Sequence, residues 1–208
     1  MGRLNAHITL AGLLIFVLLS IQFFDRPLAQ WLQAHPLSVR PILDTAVMVL
    51  EQVTGFNISK FLLAGLLLLS AGLCFLFSKW KRTSLALLFV GLTHAVSRLV
   101  AGSLKNVFSR TRPYEYLQDN SLPDFFAPQG SSFPSGHVAH FFSLAFPILL
   151  LAPKHKWILI IPCLVSAQRI ISNDHYVSDV LASTGIALLF TVLFARWLRL
   201  PGSNANRI

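Results

Sequence analysis

Six stretches of the chain are each apolar over close to the ~20 residues that the hydrocarbon core of a bilayer requires. No other feature constrains the fold as much. They lie at about 6–24, 59–78, 84–108, 137–153, 157–173 and 175–198. Lipid offers backbone N–H and C=O groups no water to bond, so such segments cross as helices. The expected fold is all-α: a six-transmembrane-helix bundle forming one domain over residues 1–208. The fourth and fifth stretches are short and leave little room for tilt. Composition agrees. Of 208 residues, 54% are hydrophobic and 12% charged, the latter about half the ~25% of a soluble domain. That excludes a disordered chain and counts against a soluble enzyme.

Between the first two stretches, 25–58 mixes Asp25, Arg26, Arg40, Asp44 and Glu51 with apolar residues. It reads as a turn followed by an amphipathic interfacial helix at about 40–54. Asp25-Arg26-Pro27 follows the first stretch where a cleaved signal peptide would carry small residues, so that stretch is expected to be retained. Cys74 and Cys163 sit inside apolar runs, with no Cys-x-x-Cys pair to suggest zinc or redox chemistry.

The formal charge is +9, which in a soluble protein would suggest nucleic acid. Here its placement gives a topology. Arg3, Lys79, Lys81, Arg82, Lys154, Lys156, Arg196, Arg199 and Arg207 fall on one side of the alternation, with no acidic residue among them. The positive-inside rule places that side in the cytoplasm, with both termini. The segments 25–58, 109–136 and 174 then face out of the cell or into the periplasm. The charge is thereby explained without nucleic acid.

Three outward helix ends collect the unusual polar residues. Lys105 and Arg112 lie two helical turns apart and share a face if the third helix persists to Pro113. Two fixed cations suit a phosphate, and the arginine fork matches its oxygens. Taken alone, the pair also fits interfacial snorkelling. Pro134-Ser135-Gly136-His137 opens the fourth helix, where free N–H groups and the helix dipole attract anions. Gly136 permits close approach of a ligand. A plain serine cap is the simpler reading of that block. His175 and Asp179, four residues apart, share a helical face. A carboxylate bonded to one imidazole nitrogen leaves the other more nucleophilic. A structural pair would look the same, but a carboxylate one turn into a membrane helix is costly without a partner, which favours the functional reading.

Together the three blocks resemble the signature of the type-2 phosphatidic acid phosphatase superfamily: Lys-x6-Arg-Pro, then Pro-Ser-Gly-His, then Ser-Arg-x5-His-x3-Asp. Here they read Lys105 to Arg112-Pro113, Pro134 to His137, and Arg169 with His175 and Asp179, all within 105–179. The sequence departs from the pattern at Gln168, where the family has serine. That predicts altered packing around Arg169 rather than lost activity. The resemblance implies an inner (plasma) membrane lipid phosphatase with its site at the outer face. His175 would attack phosphorus, Asp179 would orient it, and His137 would protonate the leaving oxygen. Lys105, Arg112, Ser135, Gly136 and Arg169 would hold the phosphate. No metal and no cofactor are expected. A neutral His175 and a protonated His137 would give a bell-shaped pH–rate profile. The implied substrates are phosphatidate, phosphatidylglycerophosphate, undecaprenyl pyrophosphate and lipid A phosphates. A lipid-to-lipid phosphotransferase using the same site is the alternative. A vanadate-dependent haloperoxidase shares the residue set but not the apolar spans, and the complete histidine pair argues against a non-catalytic transporter.

Two further expectations concern the surroundings. Arg98 lies seven residues before Lys105, ~10 Å deeper in the membrane. Asp44 and Glu51 are its expected partners. The segment 114–133, rich in aromatics, is expected to form a flap resting on the membrane at the substrate entrance. His140, three residues past His137, could support the site from behind.

Overall fold

The computed structural model describes residues 3–200, and those residues contain helices and connecting turns with no strand. Arg207 of the expected cytoplasmic charge set lies outside them. Three of the expected spans form helices long and apolar enough to cross a bilayer, within His7–Ala34, Ser78–Gln118 and Val177–Trp197. Two more, Leu62–Phe75 and Gly136–Leu151, are apolar but shorter.

The first helix, α1 (Arg3–Leu19), does not stop where the sequence predicts a turn. It passes through one wide π turn, Ser20–Phe24, directly into α2 (Asp25–Ala34). Pro27 has no N–H and would clash with a carbonyl four residues back, and the widened turn just before it accommodates that defect. The amphipathic helix is present as α3 (Arg40–Thr54), matching the expected 40–54. Gly55 ends it in the left-handed region at φ +68, and Phe56 folds back toward the bundle.

Then follow α4 (Leu62–Phe75), α5 (Lys81–Phe108), the short α6 (Pro113–Gln118), α7 (Gly136–Leu151), α8 (Ile160–Ile171) and α9 (Val177–Trp197). Helices α5, α7 and α9 pack on one another in the centre, with α4 against α5, α1 against α9 and α3 against α8. Val138 and Phe142 of α7 meet Val180 and Ala187 of α9. Val47 of α3 meets Phe141 and Val165, and so fastens the amphipathic helix to α7 and α8. Outward positions such as Leu14, Phe16, Leu69, Leu73, Leu99 and Trp197 are large, apolar and exposed. Such an outer surface suits lipid and not water.

Candidate active site

The turn from α8 to α9 places His175. Asn173 adopts φ +58, and the N–H groups of Asp174 and His175 both donate to the Arg169 carbonyl at 3.1 Å. His175 is 3% exposed, with its Nδ1 3.5 Å from Asp179 Oδ2. The expected pair is therefore assembled, at the outer edge of direct contact, but not on a shared helical face, because α9 begins only at Val177 and His175 lies in the turn before it. Ser132 stands beside it. Its hydroxyl donates to Asp179 Oδ2 at 2.5 Å and lies 3.5 Å from His175 Nδ1. The Tyr176 N–H also donates to Asp179 Oδ2, at 2.9 Å.

The other Asp179 oxygen belongs to Arg110, which the sequence reading left without a role. Arg110 is fully buried and bonds three carboxylates: Asp179 at 2.8 Å, Asp25 at 2.9 Å and Asp124 at 2.9 Å. It also donates to the Ser178 hydroxyl at 2.6 Å and lies over the Tyr176 and Phe125 rings. One guanidinium thus ties α2, the 119–133 segment and α9 together behind the histidine. The signal was present in the sequence as a third basic residue between Lys105 and Arg112. Its three acidic partners are 14 to 85 positions away, so spacing could not reveal them.

Lys105 and Arg112 meet, but not by sharing a helical face. Helix α5 ends at Phe108, Ser109 is left-handed at φ +39, and Arg112 is extended. The residue before a proline avoids the helical region, so Pro113 prevents the helix from persisting. The two cations instead converge on Ser131: Lys105 Nζ donates to its carbonyl, and Arg112 Nε to its hydroxyl at 3.2 Å. Both act electrostatically on His175. Gly130, just before, is required by space. A Cβ there would lie 2.0 Å from the Ser109 carbonyl oxygen.

The 114–133 segment is held more firmly than a free flap. Phe125 and Phe133 pack on Phe108, Thr111 and Ser132 bond across it, and Asp124 pairs with Arg110. Phe126 is the segment's most exposed aromatic, at 72%, and Tyr114 is exposed as well.

Ser135 caps α7, with its N–H on the Asp179 carbonyl and its own carbonyl accepting from Ser183. Its hydroxyl is buried and has no partner among the described residues. Gly136 does permit a close approach, but by Arg98, whose guanidinium donates to the Gly136 carbonyl. A Cβ on Gly136 would sit 3.1 Å from Arg98. Arg98 therefore does not pair with Asp44 or Glu51 as expected. It is buried, lies over the Phe56 ring at 4.8 Å, and neighbours His94. The two acids are engaged by the segment that ends at the α8–α9 turn. Asp44 accepts from Gln168 at 2.7 Å and Ser172 at 3.0 Å, and Glu51 accepts from Arg169 at 2.6 Å. Gln168, the departure from the family pattern, is long enough to reach across to α3.

His137 Nε2 lies 2.8 Å from the same Glu51 oxygen. Phe56 covers its ring at 4.4 Å. The hydrogen bond from His137 holds the Glu51 carboxyl below the ordinary carboxylate range, and the Arg169 guanidinium adds to this. Arg169 also donates to Asp174 at 3.0 Å, so both ends of its fork meet carboxylates. His140 sits behind, edge-on to Phe56 and His94. Among the described residues, no three His, Cys, Asp or Glu side chains converge as a metal site would require.

The fold and this cluster define a class: a helical membrane protein with a histidine–aspartate pair and two clustered cations. The family model of the PAP2 superfamily matches residues 86–202, and the chain belongs to that superfamily. It is 32% identical over 152 residues to an undecaprenyl-diphosphatase of Sulfolobus acidocaldarius, covering 64% of this chain and 73% of that one. It is 30% identical to phosphatidylglycerophosphatase B of Bacillus subtilis, covering 69% and 72% respectively. It is 28% identical to a lipid A 1-phosphatase of Rhizobium johnstonii, covering 86% and 75%. The crystal structure of a transmembrane PAP2-type phosphatidylglycerolphosphate phosphatase from Bacillus subtilis matches with a TM-score of 0.58. At 22% identity it covers 95% of this chain and 98% of that one. That likeness concerns the fold.

Proposed function

We propose that this protein hydrolyses a phosphate monoester or pyrophosphate of a membrane lipid through a phosphohistidine intermediate, without a metal ion. The observation that carries the reading is the meeting of His175, backed by Asp179, with the Lys105–Arg112 pair and His137. Three remote segments supply them. His175 presents Nδ1 to Asp179, which leaves Nε2 to attack phosphorus. As the N–P bond forms, the P–O bond to the lipid breaks, and His137 gives a proton to the departing oxygen. Asp179 balances the positive charge on His175. Lys105 and Arg112 hold the equatorial oxygens, with Ser135, the Gly136 N–H and Arg169 completing the cradle. Water then attacks the phosphohistidine, and His137 takes its proton. Positioning and electrostatics dominate such transfers.

In the topology expected from the sequence, six crossings with both termini cytoplasmic, the site lies at the outer leaflet, where a lipid phosphate reaches it with its chains still in the membrane. The names of the relatives support a lipid substrate. The test is phosphate release by detergent-purified protein, in EDTA, from phosphatidate, phosphatidylglycerophosphate, undecaprenyl pyrophosphate and lipid A, beside His175→Ala. Release by wild type alone supports the mechanism. Labelled phosphate passing to a lipid acceptor instead would favour the phosphotransferase. Activity abolished by EDTA would overturn the metal-free reading.

A further inference from the structure

The histidine–aspartate–cation set leaves the half-buried Glu51 carboxylate of the amphipathic helix without a role, although it touches His137. We infer that Glu51 is the positioning residue that keeps a proton on His137, coupling α3 to departure of the leaving group. The inference rests on the proposed role of His137 as general acid.

The placement of Glu51 is fixed from several sides. Val47, one turn earlier on the same face, is 2% exposed against Phe141 and Val165. Asp44, two turns earlier, is clamped by Gln168 and Ser172 at 2.7 and 3.0 Å. Arg169 grips Glu51 itself at 2.6 Å. One carboxylate oxygen then faces His137 Nε2 at 2.8 Å, a normal charge-assisted distance. Phe56, delivered by the left-handed Gly55, lies 4.4 Å over the His137 ring and holds its plane.

The charged and titratable groups around His137 are Glu51 from α3, Arg169 from α8, His140 from α7, Arg98 from α5 and His175 from the α8–α9 turn. Among the described residues, Glu51 is the carboxylate in contact with it. Burial disfavours an imidazolium there, and so do the other neighbours, which are cations or imidazoles. A carboxylate in hydrogen-bond contact favours one. The proton balance closes. With Nε2–H held on Glu51, the second imidazolium proton sits on Nδ1. It passes to the departing oxygen as the P–O bond breaks. A neutral imidazole remains, still anchored through Nε2, ready to accept the proton of the attacking water.

General acid assistance matters most for a basic leaving oxygen, so the test varies the leaving group. kcat/KM reports the phosphoryl transfer that expels it. Purified wild type, Glu51→Gln and His137→Ala are compared on dioleoyl phosphatidate in detergent micelles, an alkyl ester, and on 4-nitrophenyl phosphate, an aryl ester. Thermal unfolding checks that each variant is folded. Glu51→Gln keeps size and hydrogen bonding but removes the charge. Its kcat/KM is expected to fall at least tenfold more on the alkyl ester than on the aryl ester, as for His137→Ala. An equal fall on both esters, or none on either, overturns the proposal. A split for His137→Ala without one for Glu51→Gln refutes the role of Glu51 alone. No split for His137→Ala refutes the general-acid reading and the proposal with it. Should wild type release phosphate neither from these esters nor from any lipid of the panel above, the phosphatase reading fails and Glu51 loses its role.

Discussion

Replacing Arg110 by methionine is the severest single test of how the site is held. Methionine keeps much of the volume and removes the charge. Two of the three carboxylates then lose their cation with no solvent to replace it, because the Asp25 and Asp179 side chains are both 0% exposed. Removing one partner of a buried ion pair costs about 3–5 kcal/mol, a factor of 100 or more in the folded fraction. Each kcal/mol moves Tm by about 2–4 °C in a chain of this size, so the expected shift is on the order of 10 °C downward. Tryptophan fluorescence during heating in detergent measures it. Asp124→Asn is the internal comparison. That side chain is 19% exposed, so water replaces part of the lost interaction and the loss is about 1–2 kcal/mol. Phosphate release by Arg110→Met, measured well below its Tm, should also fall, because Asp179 loses the bond to Oδ1 that fixes its orientation. An Arg110→Met protein with wild-type Tm would refute the reasoning, as would a larger loss from Asp124→Asn.

Other outcomes follow from the same geometry. Ser132→Ala removes the 2.5 Å bond to Asp179. A hydrogen bond to a charged group is worth about 1.5–3 kcal/mol, so kcat should fall roughly 10- to 100-fold with the fold intact, read by phosphate release and Tm. Gly130→Ala forces a methyl against the Ser109 carbonyl. Overpacking of this kind costs about 1–3 kcal/mol, and faster proteolysis of the 119–133 segment would report it. The folded-state pKa of Glu51 is depressed, chiefly by the hydrogen bond from His137. Its contribution to stability is therefore present above the ordinary carboxylate pKa and lost as pH falls through the lower folded value. The Tm gap between wild type and Glu51→Gln should be open at neutral pH and narrow below about pH 4.

Much of this protein is legible in one sequence because its solvent is lipid. Length and apolarity alone fix helices, and the amphipathic 40–54 segment emerges with the bounds expected of it. Lys105, Arg112, His137, His175 and Asp179 are recognisable because their residue types recur at helix ends in a specific order. The departures have local or tertiary causes. Pro27 widened a turn where a break was expected. Pro113 stopped α5 short, so Lys105 and Arg112 came together by the chain folding back over Ser131.

What spacing could not decide was partnership between remote polar groups. Arg98 went to the Gly136 carbonyl and the Phe56 ring, while Asp44 and Glu51 went to Gln168, Ser172, Arg169 and His137. Arg110 found its three carboxylates across as many as 85 positions. A buried charge takes whichever partner packing brings within hydrogen-bond reach, and packing depends on every helix at once. The sequence by itself determined a helical membrane bundle and the candidate residues of its proposed chemistry. Only the tertiary structure decided which of those residues hold one another in place.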